Sequence, residues 1–96
     1  MIAVEFHPAA DQELREAAEW YLHRSAAAAE GFARELEHAL TRICESPDRY
    51  PLTRLRRRRF VLMHYPYDVI YRLTQSGIEV IALAHHARRP GYWRHR

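Results

Sequence analysis

The sequence predicts a single α+β domain over residues 1–96, with elements in the order strand, helix, helix, strand, strand, strand. Three observations predict it. Apolar side chains recur at helical spacing between residues 9 and 45, residues 67–74 alternate with a period of two, and residues 78–84 are almost wholly apolar. A chain of 96 residues suits one hydrophobic core and not two. At 48% hydrophobic and 28% charged residues it has the composition of a folding chain, far from that of a disordered one.

Residues 2–6 are rich in β-branched and aromatic side chains, and His7-Pro8 ends them, so they read as a first strand. Pro8 suits the first turn of the helix that follows. In that helix, from about Ala9 to Arg24, Leu14, Ala17, Ala18, Tyr21 and Leu22 form the apolar set, and Trp20 and Tyr21 are expected to pack into the core. A second helix starts at Ser25 as its N-cap and runs to Glu45, with Phe32, Leu36, Ala39, Leu40 and Ile43 on one stripe. Gly31 within it costs about 1 kcal/mol relative to alanine. Cys44 lies beside the stripe and reads as a small buried hydrophobe. Ser46-Pro47 stops the helix. After Pro51 the period changes to two: a noisy strand over 60–65, a bend or bulge at Tyr65-Pro66-Tyr67, a clear strand over 67–74, a short turn at Gln75-Ser76-Gly77, and a central strand over 78–84. Residues 85–96 are too polar and aromatic for a core strand and are expected to form a presented surface.

Composition excludes several function classes. The longest apolar run, residues 80–84, is far short of the roughly 20 residues of a membrane span. The N-terminus has neither a basic nor an apolar signal region, and one cysteine cannot form an internal disulfide, so a cytoplasmic address is expected. With three glycines and no phosphate-cradling loop, and no His/Cys pair at ligand spacing, neither a cofactor nor a metal is expected.

All 15 basic residues are arginine, and they are unevenly placed. Residues 1–48 hold ten Asp/Glu and four Arg, whereas residues 49–96 hold two Asp/Glu and eleven Arg. The C-terminal half therefore offers a basic surface to an anionic partner. Its densest part is Arg54-Leu55-Arg56-Arg57-Arg58-Arg59 at the entrance to the second strand. In extended backbone, Arg56 and Arg58 would face one way and Arg57 and Arg59 the other. This run is an anion- or partner-binding candidate, or a solvated face. Arg88, Arg89, Tyr92 and Trp93 interleave guanidinium forks with rings, a mixture that stacks on bases, anchors protein interfaces, or folds a ring back on the core. His85 and His86 are adjacent at a strand end; one of them could exchange a proton near neutral pH.

The pattern resembles the RelE/ParE family of bacterial toxins, including the plasmid stabilization type. The resemblance is carried by Val4-Glu5-Phe6-His7-Pro8-Ala9-Ala10 with Glu13-Leu14, by Ala17-Ala18-Glu19-Trp20-Tyr21, and by Phe32-Ala33-Arg34-Glu35-Leu36 with Ala39-Leu40. Ser46-Pro47, Arg58-Arg59-Phe60-Val61-Leu62, Tyr65-Pro66-Tyr67-Asp68-Val69-Ile70-Tyr71, Ile81-Ala82-Leu83-Ala84-His85 and Arg88-Arg89-Pro90-Gly91-Tyr92-Trp93 continue it in order. It implies an N-terminal strand, a helical hairpin and a three-stranded antiparallel meander forming a twisted sheet. It also implies the toxin role in a type II toxin–antitoxin system, and a cognate antitoxin that wraps the chain into a hetero-oligomer. That antitoxin should bring an amphipathic helix to an apolar groove and acidic residues to Arg54, Arg56, Arg57, Arg58 and Arg59.

Members of the family divide between poisoning DNA gyrase and cleaving mRNA in the ribosome. In the cleaving relatives an Arg follows the aromatic residue at the head of the third strand; here Tyr67 is followed by Asp68, an anion where phosphate would sit. Arg72 lies roughly 13 Å further along the strand. Arg58 and Arg59 could match basic residues of the preceding strand, Val61 could not, and His86, Arg88 and Tyr92 are the remaining candidates for catalysis. The resemblance thus favours a gyrase inhibitor, with Arg88, Arg89, Tyr92 and Trp93 as target contacts. The alternatives are a ribosome-dependent mRNA interferase and a degenerate, non-toxic module that only binds its antitoxin.

Overall fold

A computed structural model describes residues 2–96, the side chain of Arg54 excepted. The chain opens with β1 (Ala3–Phe6) and turns at His7 into α1 (Pro8–Arg24). Proline at the helix start loses nothing there, because the first amides have no intrahelical acceptor. His7 serves as the cap, its Nδ1 accepting from the Ala9 amide at 3.1 Å. Ser25 alone separates α1 from α2 (Ala26–Glu45). Its amide donates to the Tyr21 carbonyl at 2.9 Å, and its Oγ accepts from the Ala28 amide at 3.2 Å. One residue therefore ends the first helix and starts the second.

Three strands follow: β2 (Arg58–Val61), β3 (Tyr67–Leu73) and β4 (Gly77–His85), forming with β1 a sheet in the order β1-β4-β3-β2. The α+β architecture is the one the sequence predicts, and the central position of the apolar fourth strand holds. β2 begins earlier than expected and stops at Val61, because Leu62 is buried and residues 63–66 bend away. The sheet is also not wholly antiparallel. β1 pairs with β4 in parallel, Val4 opposite Ile78 and Phe6 opposite Val80. A parallel neighbour needs a long connection, and everything between Phe6 and Gly77 supplies one.

The helices cover one sheet face. Phe32, Leu36, Ala39 and Ile43 of α2 are buried there against Val69, Tyr71, Ile78 and Val80. α1 buries less than predicted. Its inward row is Ala10, Leu14, Ala17 and Tyr21, spaced by three or four residues, so Ala18 and Leu22 fall a quarter turn away and are exposed. Trp20 is likewise outside the core, 50% exposed, with the Arg24 guanidinium 3.6 Å from its ring centroid. Cys44 is half-buried at the edge of the core, where burial pushes its thiol pKa up.

The second sheet face is covered by the C-terminal segment. Trp93 is buried against Ile70, Ile81, Ala82 and Ala84. The ladder between β3 and β4 shifts register between Ile70 and Tyr71, which pair with Ala82 and Val80. The extra residue, Ile81, lets β4 bury side chains on both faces, and this is why residues 80–84 carry no polar alternation.

Two glycines answer to close approach. A Cβ on Gly31 would meet the Tyr65 hydroxyl at 2.5 Å, and that hydroxyl donates to the Ala28 carbonyl at 3.0 Å. A Cβ on Gly77 would fall on the backbone of Ala3. Gly77→Ala is expected to force β1 from β4 at a cost of about 1–3 kcal/mol. The check is a lowered urea midpoint, with faster amide exchange confined to β1 and its partner.

Candidate functional site

The C-terminal segment, residues 86–96, has no strand or helix and is held by a series of turns and by one carboxylate. Gly91 takes a φ of +75°, in the left-handed region that glycine enters without steric cost, and so reverses the chain between Arg88 and Trp93. Glu13 on α1 then reaches across. Its Oε2 accepts from the Tyr92 hydroxyl at 2.5 Å, and its two oxygens accept from the Arg96 guanidinium at 2.8 and 3.1 Å. Oε1 also accepts from the Leu83 amide at 3.1 Å, and Arg88 pairs with Oε2 at 3.9 Å. The Arg88 guanidinium lies 3.9 Å from the Tyr92 ring centroid, a cation on a π face.

This setting decides what Tyr92 can do. Burial, then the hydrogen bond to Glu13 and the charge of that carboxylate, hold its phenol well above the ordinary tyrosine value, against the opposing pull of Arg96 and Arg88. It stays protonated and is occupied as a donor. The separate hydrogen bonds from Arg96 to Glu13 raise the Arg96 guanidinium above its usual value.

Beside this segment lies a cleft of about 380 Å³ whose lining includes Arg59, Asp68, His86, Arg88, Arg89 and Tyr92. Asp68, at the head of β3, is 15% exposed and does not stand alone: His86 Nε2 lies 2.8 Å from Oδ1, and Arg59 pairs with Oδ2 at 3.9 Å. His85 turns the other way. Its ring meets Tyr67 edge-on at 5.0 Å between centroids, and its Nδ1 accepts from the Ala87 amide at 2.9 Å. Arg72 is paired with Glu79 at 2.7 Å and does not enter the cleft. Arg89 is exposed and, among the described residues, its side chain has no ion-pair or hydrogen-bond partner. The tail therefore presents Arg88 and Arg89 outward and keeps Trp93 inside, as the ring that packs on the sheet.

The arginine run departs from the extended form that would alternate all of it between two faces. A 3₁₀ turn spans Arg54–Arg56, with Leu55 and Arg56 at φ of 64° and 60°, so alternation begins only where β2 does. Non-glycine residues in that region carry strain. The Thr53 hydroxyl bridges the turn, donating to the Arg57 carbonyl at 2.6 Å. Arg57 donates to the carbonyls of Leu55 and Arg96, and Arg58 to that of Tyr50 at 2.8 Å. Arg56 is exposed; the side chain of Arg54 lies outside the described residues.

Between edge strand β2 and α2 runs a groove of about 630 Å³. Tyr50, Phe60, Val61 and Met63 give it apolar walls, and Arg42, Arg49 and Arg59 give it a cationic rim. Val61 and Met63 are 57% and 84% exposed. Glu35 sets one end: its carboxylate accepts from the amides of Met63 and His64 at 2.5 and 3.0 Å and meets His64 Nδ1 at 2.7 Å. Partial burial pushes the Glu35 carboxyl up, but these bonds outweigh it and hold the group below its ordinary value. Sequence reasoning missed this groove. The signal was there in Phe60-Val61-Leu62-Met63, since a strand apolar at every position, with one side facing solvent, exposes half of that surface. It also missed the role of Glu13, for which no local signal exists: its partners are 70 to 83 residues away.

The same order of elements is found in a solved structure, that of the chromosomal ParDE toxin–antitoxin system from P. aeruginosa, to which this chain is similar with a TM-score of 0.74. The likeness covers 88% of this chain and 96% of that one at 12% identity, and so speaks to the fold. No curated protein matches the sequence. The family described as the ParE toxin of type II toxin–antitoxin systems, parDE, matches residues 4–90, from the first strand through the packed sheet to the start of the clasped tail. With nine-tenths of its length matched, the chain belongs to the ParE toxin family.

Proposed function

We propose that this protein arrests growth by binding DNA gyrase through the clasped tail, with Arg88, Arg89 and Tyr92 forming the contact face, and that a cognate antitoxin neutralises it. One observation carries the reading. The cleft beside the tail carries the Asp68 carboxylate, with His86 and Arg59 against it, and Tyr92 is held protonated as a donor to Glu13. Metal-independent RNA cleavage needs cations for the phosphorane charge, and a carboxylate repels the phosphate it would have to bind. The guanidinium groups of Arg88 and Arg89 face outward, which suits docking.

The groove along β2 fits the antitoxin. Its apolar walls match one face of an amphipathic segment and its rim of Arg42, Arg49 and Arg59 matches acidic side chains on that segment. Exposed ion pairs contribute about 0.2–1 kcal/mol each, so most of the affinity comes from burying Val61, Met63 and Phe60. The toxin and antitoxin form a hetero-oligomer in the cytoplasm.

The purified protein is expected to block supercoiling by gyrase or to trap cleaved DNA. Induced without its antitoxin, it should stop growth and leave messages intact, as read by sequencing mRNA 5′ ends. New ends inside translated codons, with gyrase unaffected, would overturn the reading in favour of an interferase. Growth without arrest would point to a module that only binds its antitoxin.

A further inference from the structure

Glu13 is the point at which α1, β4 and the C-terminal tail meet, and the target reading above uses it only as the group that occupies the Tyr92 hydroxyl. Its side chain is 12% exposed on a helix face otherwise made of Ala10, Leu14, Ala17 and Tyr21. A carboxyl group drawn that far from water needs donors for its oxygens, and it has them in the Leu83 amide, the Tyr92 hydroxyl and both terminal nitrogens of Arg96.

The tail has no ladder to hold it. Its own hydrogen bonds are short-range turns, from the amides of Tyr92, Arg94 and Arg96 to the carbonyls of Arg89, Gly91 and Trp93. Trp93 attaches the tail to the sheet by apolar burial, which is non-directional, and at the far end Arg57 donates to the Arg96 carbonyl and Arg96 to the Ile81 carbonyl. A bidentate carboxylate–guanidinium pair is directional, and a second bond to Tyr92 from the same oxygens fixes the remaining angle. Arg88 follows in turn, since it lies on the Tyr92 ring at 3.9 Å and pairs with Glu13.

We infer that Glu13 is the positioning residue of the tail: by holding Tyr92 and Arg96 it sets the conformation in which Arg88 and Arg89 are presented, and so governs target binding without touching the target. The second half of this inference rests on the reading of the tail as the target-binding face.

Two full-length variants test it, Glu13→Gln, which removes the charge and keeps the shape, and Arg96→Gln, which leaves α1 intact and releases the far end of the clasp. In both, amide exchange at Tyr92, Arg94 and Arg96 is expected to rise at least tenfold while exchange in the two helices is unchanged. In Glu13→Gln the Tyr92 phenol, followed by NMR, should titrate closer to an ordinary tyrosine than it does in Arg96→Gln, because only the first variant removes the carboxylate that accepts its proton. The concentration needed to inhibit supercoiling should rise at least tenfold. Tail exchange equal to wild type in both variants would overturn the inference. So would a loosened tail with wild-type potency. A wild-type protein that leaves gyrase untouched would overturn the target reading alone, and exchange and titration would still decide whether Glu13 holds the tail.

Discussion

Phe32→Ala is expected to remove about 3–5 kcal/mol of stability, the largest effect of any single substitution in this core. Phe32 is 1% exposed, at the inner end of the α2 stripe. Its ring centroid lies 5.1 Å from that of Tyr21, 5.4 Å from Tyr65 and 5.7 Å from Tyr67, so it joins α1, the 63–66 bend and β3 in one aromatic cluster. Three of those four rings are tyrosines, and Tyr65 cannot tilt into the space without losing the bond its hydroxyl donates to the Ala28 carbonyl. The void therefore stays, and its cost adds to the lost transfer energy. Domains of this size have roughly 5–15 kcal/mol in total, so much of the stability would go, with a fall in melting temperature of roughly 15–30 °C. Urea unfolding followed by circular dichroism measures it. Leu22→Ala, at a residue 60% exposed on the outer face of α1, should change stability by less than about 0.5 kcal/mol. A loss below about 1 kcal/mol at Phe32 would show that the cluster collapses to fill the space.

The largest effect on activity is expected from Arg89→Glu. The Arg89 side chain has no ion-pair or hydrogen-bond partner among the described residues, so reversing its charge should leave the melting temperature unchanged. Arg88 is a poorer probe because it stacks on Tyr92 and pairs with Glu13, so changing it alters the tail as well as the contact. If the tail is the face that meets gyrase, a reversed charge at its centre should cost about 2–3 kcal/mol of binding, or roughly 30- to 150-fold in the concentration that inhibits supercoiling. If the antitoxin takes the groove between β2 and α2, its affinity should stay within about threefold of wild type, as read by titration calorimetry. Undiminished inhibition would move the target face off the tail.

The local grammar of the chain was legible before any coordinates. Pro8 and Ser25 sit where a helix start wants a missing amide and a capping hydroxyl, because those preferences depend on neighbours a few residues away. The α2 stripe was legible for the same reason. α1 was read less well: its apolar residues cover more than one face, and only the sheet decides which row of them turns inward. Trp20 stayed outside because Arg24, one turn on, covers its ring, while Trp93 went inside because Ile70, Ile81 and Ala82 open a second apolar face to it. No local pattern distinguishes those two tryptophans.

The candidate site divides along the same line. Arg88, Arg89, Tyr92, His86 and the arginine run could be named as chemistry from the sequence, since residue type is enough to say what can carry charge or a proton. Whether each is available depends on its partners. Asp68 was legible as an anion in an unexpected place, but its pairing with His86 and Arg59 requires β2, β3 and the residue after β4 to come side by side. The arginine run was read as the entrance to the second strand, with its faces given for an extended backbone, and it is broken by two left-handed residues, Leu55 and Arg56, that no glycine announces.

By itself, then, the sequence determined the α+β class, the order of the elements, the helix caps, the central apolar strand and the family, because each rests on spacing within one element or on the order of elements along the chain. The tertiary structure alone decided the parallel seat of β1 beside Gly77, the second apolar layer under Trp93, and the capture of Tyr92 and Arg96 by Glu13. Those contacts join residues some 70 or more positions apart in two of the three cases, and in the other they bring the tail onto side chains of two different strands. Their energy exists only once a core has formed to exclude water between them, so no local preference in the chain can record it.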